Sequence, residues 1–190
     1  MRSLILFIIV FFPFRLLGQS YKLGDYLSIK DHPKSKGVNL KLKVPIGWEI
    51  KEGERPNIVK KFEKEGNTFL ISIKENATFF SRNEIKEELQ KEEGLTTEYV
   101  KEVSSLLNNA KILDQSIMTI DTYPTIKFKV KGTMERAGFT LPVIMRMWII
   151  LYEDKIVFLQ SMGTETSEFR SMDQLYFQIT NSVIFPEQYN

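Results

Sequence analysis

The most informative stretch of the chain is Phe139–Tyr152, where apolar residues occupy both alternating faces. Every odd position of this stretch is apolar, and Ile144, Trp148 and Ile150 add apolar side chains at even positions. Alternation with a period of two predicts a β-strand. Apolar residues on both faces predict that a further layer covers each side of the sheet. We therefore expect this strand in the middle of a sheet that has helices on both faces.

Further strand-like runs precede and follow this stretch. They are residues 38–44, 59–65, 68–75, 111–121, 125–136 and 155–162. The links predicted between neighbouring runs are Gly66-Asn67, Thr122-Tyr123-Pro124, Ala137-Gly138 and Glu153-Asp154, and Pro45–Trp48 is predicted as a turn. Short links place consecutive strands side by side and antiparallel. The second half of the chain is therefore predicted to be an antiparallel meander.

Three segments change to a helical period. Ser81 followed by Glu84 forms a capping-box pattern, which predicts a helix over 81–93. A second helix is predicted over 97–109 and a last one over 165–181, whose apolar stripe is Phe169, Met172, Leu175, Tyr176 and Ile179. Together these elements predict the α+β class: a single three-layer α/β/α sandwich around a mainly antiparallel sheet.

The N-terminus has the pattern of a secretory signal peptide. A basic start at Arg2 is followed by the unbroken apolar run Leu4–Phe12, which is too short to span a bilayer comfortably. We expect cleavage after Gly18, or after Ser20, and a periplasmic or secreted protein with no stable transmembrane segment once the leader is removed. The alternative is an uncleaved N-terminal anchor. A buried strand is less favoured, because no polar residue alternates within the run.

The predicted organisation is a signal peptide over 1–18, a polar lead-in over 19–37 and one domain over 38–190. Composition supports a single globular domain, because 43% of the 190 residues are hydrophobic. The formal net charge of +2 comes from Arg2 and Arg15, so residues 19–190 are neutral. A neutral surface argues against broad binding of nucleic acid.

Several motifs together resemble the PsbP-like superfamily. They are Val44-Pro45-Ile46-Gly47-Trp48 after the first predicted strand, the run 69–73 before a helical pair, the long meander, and the closing Phe177-x-Ile179-x-x-Ser182-x-x-Phe185. The resemblance covers about residues 38–187. It implies an α/β/α sandwich and a binding or accessory role, since the family includes a Ran-binding nuclear transport factor and many exported bacterial proteins. It implies no shared catalytic residue.

A search for catalytic and metal-binding patterns finds little. The chain has no Cys, and His32, its one His, lies in the predicted lead-in and is interpreted as solvated. A metal centre, a catalytic triad and a phosphate-binding loop are therefore not predicted, nor is a cofactor. The acidic residues Glu84, Glu87, Glu88, Glu92 and Glu93 are interpreted as a solvated helix face.

Six residues are candidates for binding: Trp48, Lys127, Lys129, Lys131, Arg146 and Trp148. A charge in a strand as apolar as that of Arg146 needs a partner or a wet groove, and a structural ion pair is favoured over an anion site. If Lys41 and Lys43 neighboured the three strand lysines, they would form a positive sheet face, although a guard against aggregation is favoured. Trp148 is expected in the core, and Trp48 either in the core or at a pocket rim.

These observations predict an exported, non-catalytic binding or accessory protein of the bacterial cell envelope. Its partner would be an envelope protein or a small ligand. Two alternatives stay open. One is a carboxylate-dependent hydrolase of an envelope polymer, because two carboxylates suffice for glycoside hydrolysis. The other is a membrane-anchored structural protein that retains its N-terminus.

Overall fold

The computed structural model describes residues 21–77, 79, 81–91 and 94–189. The predicted signal peptide and its cleavage position lie outside the described residues. The strands are β1 (Leu23–Ser28), β2 (Lys41–Pro45), β3 (Glu49–Glu52), β4 (Ile58–Lys64), β5 (Asn67–Glu75), β6 (Asn108–Ile120), β7 (Tyr123–Arg136), β8 (Phe139–Tyr152) and β9 (Lys155–Thr164). The helices are α1 (Arg82–Leu89), α2 (Leu95–Ser104), α3 (Ser167–Ser171) and α4 (Asp173–Asn181), followed by a 3₁₀ turn, Pro186–Tyr189.

Seven strands form one antiparallel sheet in the order β3-β4-β5-β9-β8-β7-β6. The long strand predicted from its two-sided apolar pattern is β8, and it lies inside the sheet between β7 and β9. The predicted α+β fold around a mainly antiparallel sheet is confirmed.

Two hydrophobic cores lie on opposite faces of this sheet. Ile144, Trp148 and Ile150 belong to one core, which also contains buried residues of α4 and β2. The alternate residues Met145, Met147 and Ile149 belong to the other core, with buried residues of α1 and α2. The period of two along β8 therefore divides the strand between the two cores.

Tight turns between the strands use residues in the left-handed backbone region. Ala137 and Gly138 have φ values of 50° and 80° between β7 and β8, as predicted for this hairpin. The β4–β5 turn is Glu65-Gly66, one position before the predicted pair, with φ values of 49° and 79°. A two-residue hairpin of this type needs positive φ at both turn positions. Asn67 is consequently the first residue of β5.

Ordered structure begins earlier than Val38, contrary to the sequence-based expectation. β1 pairs with β2 in a separate two-stranded sheet. Ile29 and Val38 are each 1% exposed and belong to the core shared with α4. The expected lead-in is therefore partly folded structure, because its few apolar residues are buried against an element from the other end of the chain.

The helices are shorter than predicted. The capping box at Ser81 and Glu84 is present, but α1 ends at Leu89. Gly94 precedes α2, and a Cβ there would lie 2.4 Å from the carbonyl oxygen of Glu88, so the chain reverses where only glycine fits. The predicted C-terminal helix is divided at Met172 into α3 and α4.

Candidate functional site

Arg146 is the one charged residue among the buried side chains of the described chain, and it is 4% exposed. It lies on the face of β8 that carries Ile144 and Trp148, below α3 and α4. Its Nε donates a hydrogen bond to Oδ1 of Asp173, and its Nη2 donates to the carbonyl oxygen of Phe169 at 2.9 Å. The predicted structural ion pair is therefore present.

Two aromatic rings complete the surroundings of the guanidinium. Its central carbon lies 4.4 Å from the ring centroid of Phe169 and 5.1 Å from that of Tyr176. Both distances are within the range of a cation–π interaction. Gly163 on β9 makes room for the Phe169 ring, because a Cβ at that position would come within 2.6 Å of it. The ion pair is thus held between two rings of the core.

Polar atoms beside this pair are buried without a hydrogen-bond partner among the described residues. They are Nη1 of Arg146, Nε1 of Trp148 and Oγ of Ser161. Trp148 lies two positions along β8 from Arg146, and Ser161 pairs with Arg146 across β8 and β9. All three side chains therefore lie on the same face of the sheet. Such a cluster is unusual, because buried polar groups in proteins almost always find partners.

Arg146 and Trp148 both line a cavity of about 110 Å³, which we name the Arg146 cavity. It lies between α4 and the β6–β7–β8 part of the sheet. The residues that line it are Asp114, Lys127, Phe128, Lys129, Arg146, Trp148, Asp173 and Phe177. Phe177 is 48% exposed, so the cavity lies at the surface under the outer side of α4.

The charges around the Arg146 cavity are paired but not balanced. Nζ of Lys127 lies 2.9 Å from a carboxylate oxygen of Asp114, and Nζ of Lys129 lies 2.7 Å from one of Asp173. Arg146 shares Asp173 with Lys129. Three cations therefore face two carboxylates, which leaves one positive charge uncompensated within the lining.

Asp173 is held in its ionised form. Partial burial acts to raise the pKa of its carboxyl group, but the hydrogen bond from Lys129 and the charge of Arg146 outweigh it. The net result is a pKa below the ordinary value for Asp. Asp173 is thus a permanent anion near neutral pH and not a proton donor.

The structure brings four of the six candidate residues together at this cavity: Lys127, Lys129, Arg146 and Trp148. Lys131, the next lysine on the same face of β7, lies outside the lining and forms an ion pair with Glu165 at 2.7 Å. Glu165 has a lowered pKa, chiefly because of the hydrogen bond from Lys131.

Trp48 packs in the core and does not line the cavity. It is 7% exposed, and its ring meets Tyr176 edge-on at 6.3 Å between centroids.

The prediction that Lys41 and Lys43 form one positive sheet face with the three lysines of β7 is wrong. Lys41 and Lys43 lie on β2, which pairs with β1 and is not part of the seven-stranded sheet. Their Nζ atoms lie 5.4 and 5.3 Å from the ring centroid of Tyr26. Each lysine of the β7 set has an acidic partner, so this set does not form an open cationic surface.

His32 is not solvated, contrary to the interpretation from sequence. Its side chain is 14% exposed, its Nδ1 accepts from the backbone N–H of Lys34 at 3.1 Å, and its Nε2 lies 2.7 Å from Glu52. An accepting Nδ1 requires the neutral tautomer whose Nε2–H donates to Glu52. Hydrogen bonds from Lys60 and then from His32 lower the pKa of Glu52 to about 2. The hydrogen bond between His32 and Glu52 therefore links the loop that contains His32 to β3.

The described residues contain no group of three or more His, Asp or Glu placed to hold a metal ion. Likewise, none of the helices in the described part of the chain is long and apolar enough to cross a membrane.

Sequence reasoning missed Asp114, Asp173 and Phe177. Asp173 is 27 residues from Arg146 in the chain, and no local motif links the two. The available signal was the need of a charged residue in β8 for a partner of opposite sign.

No protein-family profile and no curated protein matches this chain significantly. Solved structures do match it. The Ran-binding protein Mog1p of Saccharomyces cerevisiae is similar with a TM-score of 0.54 and 12% identity, covering 87% of this chain and 96% of that one.

Two further structures match at the same level. Cyanobacterial PsbP (CyanoP) from Synechocystis has a TM-score of 0.51 at 12% identity, covering 84% of this chain and 92% of its own. LpqN of Mycobacterium tuberculosis, involved in cell envelope biogenesis, has a TM-score of 0.51 at 12% identity, covering 84% and 90%. The predicted resemblance to the PsbP-like superfamily is thus confirmed at the level of the fold.

Proposed function

Starting from the PsbP-like fold, we propose that this chain is an exported, non-catalytic binding or accessory protein of the bacterial cell envelope. Its binding element is the Arg146 cavity. The signal-peptide pattern of residues 1–18 supports export. Among proteins of similar fold, LpqN is involved in cell envelope biogenesis and Mog1p binds Ran. Fold alone does not decide function, so the proposal depends on the cavity.

One observation carries the proposed binding role. Arg146 and Trp148 line the same cavity, and each has a buried donor with no partner in the described structure. Leaving a buried polar group unpaired costs about 1–3 kcal/mol. A purely structural arginine would gain stability from a full set of partners. The unpaired donors are accounted for if a ligand accepts hydrogen bonds from both.

The chemistry of the lining supports binding over catalysis. A general acid in a glycoside hydrolase needs a raised pKa. Asp173 has a lowered pKa, and Asp114 is paired with Lys127. Asp173 is therefore not suited to donate a proton at neutral pH, which disfavours the hydrolase alternative at this cavity.

Export is tested by mass spectrometry of the protein from envelope fractions of the native cell. We expect an N-terminus within a few residues of Gln19. An intact Met1 terminus would contradict export with cleavage and would favour the anchored alternative.

Binding at the cavity is tested with a photo-crosslinking amino acid, p-benzoylphenylalanine, in place of Phe177. The matched control replaces Phe139, which is 70% exposed and lies seven residues from Arg146 along β8, roughly 23 Å away. Crosslinking in intact cells should give a specific adduct from position 177 and none from position 139. Equal yields from both positions would contradict a binding site at the cavity.

A further inference from the structure

We infer that the Arg146 cavity binds a free aliphatic monocarboxylate of about two to four carbons. This inference rests on the proposed binding role and names the class of ligand. It follows from three properties of the cavity: its unpaired donors, its net charge and its size.

The unpaired donors match a carboxylate. Nη1 of Arg146 and Nε1 of Trp148 are N–H groups that only donate. A carboxylate only accepts, through two oxygens, so one oxygen can take each donor once neighbouring side chains shift to uncover the two buried nitrogen atoms. Hydrogen bonds from a guanidinium to a carboxylate are among the strongest in proteins. A cationic ligand offers these donors no acceptor at all.

The charge of the lining selects a single negative charge. Lys127, Lys129 and Arg146 face Asp114 and Asp173, so one positive charge is uncompensated. A monoanion neutralises this positive charge, whereas a dianion such as phosphate near neutral pH leaves an excess negative charge in a half-buried site. An amino acid brings an ammonium group toward three cations, which repel it.

The size and walls of the cavity limit the rest of the ligand. A volume of about 110 Å³ holds about four water-sized groups. The rings of Trp148 and Phe177 supply apolar wall, which suits a short alkyl chain. Acetate, propionate and butyrate meet these limits, and a drug-sized ligand, which needs about 300 Å³ or more, does not.

The sequence supplies a direct spectroscopic reporter. The chain has two tryptophans, so its ¹H–¹⁵N spectrum has two indole N–H signals. Titration of the cleaved protein with sodium propionate should shift the Trp148 indole signal downfield and leave that of Trp48 in place. We expect a Kd between about 10 μM and 10 mM, because so small a ligand has few atoms with which to bind.

Matched probes separate the carboxylate from other anions and from zwitterions. Glycine replaces the methyl group of propionate by an ammonium group at nearly the same size, and it should shift neither indole signal. Sodium chloride and sodium phosphate at equal ionic strength should likewise have no effect. An equal shift with phosphate or chloride would overturn the assignment to a carboxylate.

Variants locate the binding. Trp148→Phe keeps a ring but removes the N–H, and it should weaken propionate binding about tenfold, read from backbone amide shifts. Lys127→Gln removes one of the three positive charges, which makes the lining neutral overall, and should weaken binding several-fold. Lys131→Gln is its control, because Lys131 lies on the same face of β7 but outside the cavity lining. If Trp148→Phe does not fold, the comparison of Lys127→Gln with Lys131→Gln still shows whether propionate binds at the cavity.

The outcomes separate the inference from the proposed function. Unchanged indole signals at 50 mM propionate would overturn the inference, and crosslinking from position 177 would then leave the binding role standing. Shifts from a blocked peptide with one Glu, without shifts from free propionate, would also overturn it in favour of a carboxylate on a partner. Equal weakening by Lys127→Gln and Lys131→Gln would place binding elsewhere.

Discussion

Replacing Asp173 by Asn tests whether Arg146 depends on its acidic partner. Asn keeps the shape of the side chain but removes the charge that accepts from Arg146 and Lys129. Arg146 is 4% exposed and cannot turn to solvent without disturbing α4. It would retain the carbonyl of Phe169, the two aromatic rings and the neutral amide oxygen of Asn as an acceptor. The substitution therefore leaves a buried charge without its counter-ion.

The expected cost follows from the two contacts that Asp173 makes. A hydrogen bond between charged groups contributes about 1.5–3 kcal/mol. A negative charge in the first turn of α4 adds about 0.3–1 kcal/mol through the helix dipole. The Asp173 side chain is 54% exposed, so solvent screening reduces the sum, and we expect a loss of about 2 kcal/mol. For a domain of this size the melting temperature should fall by about 4–8 °C.

Urea unfolding of the purified protein measures this loss, with two reference variants. Glu168→Gln removes an exposed carboxylate from the first turn of α3 and should cost less than about 0.5 kcal/mol. Arg146→Met combined with Asp173→Asn should be more stable than Asp173→Asn alone, because no buried charge is then unpaired. Two results would contradict the dependence of Arg146 on Asp173. One is that the losses of unfolding free energy from the two substitutions simply add in the double variant. The other is that Asp173→Asn lowers the unfolding free energy no more than Glu168→Gln does.

Three other predictions concern stability. Gly163→Ala should cost about 1–3 kcal/mol in urea unfolding, because its Cβ would collide with the Phe169 ring, whereas Gly24→Ala, with neighbours at 3.4 Å, should cost less than half as much. The pKa of Asp173 is lowered on folding, so the ionised carboxylate stabilises the fold fully above about pH 5, and this stabilisation is lost as the pH falls below about 4. The difference in unfolding free energy between the native chain and Asp173→Asn should therefore shrink as the pH falls over that range. Ser81→Ala should cost about 1 kcal/mol of unfolding free energy by removing the cap of α1, and unchanged stability with an unchanged circular dichroism spectrum would contradict that role.

The alternation of the long strand was sufficient to predict its environment. A strand that is apolar on both faces can only be stable when both faces are covered, and β8 lies between two hydrophobic cores. The same reasoning identified Arg146 as a charge that needs a partner, since Ile144 and Trp148 flank it on the covered face. The burial of Arg146 was therefore predictable from positions on one strand.

The identity of its partners was not predictable in the same way. Asp173 reaches Arg146 because the C-terminal helix is divided at Met172, which places the first residue of α4 over β8. No local preference in the sequence specifies that break. Phe177 lines the cavity because it lies one turn later on the same helix. The site depends on how a helix is placed on the sheet, which is a property of tertiary packing.

The N-terminal part of the domain illustrates the opposite error. Residues 19–37 are polar and contain turn formers, which indicated a lead-in outside the core. β1 nevertheless pairs with β2, and Ile29 is buried. A short strand with half-exposed residues gives little periodic signal, so its pairing depends on β2 and not on its own pattern.

A crystal structure of the protein, purified from its native cell, would test the central claim most directly. We predict density for a small molecule within hydrogen-bond distance of both Nη1 of Arg146 and Nε1 of Trp148. An indole N–H that donates to an oxygen of the protein itself, with Nη1 of Arg146 bonded to Ser161, would contradict the account, because the Arg146 cavity would then have no unpaired donor to offer a ligand.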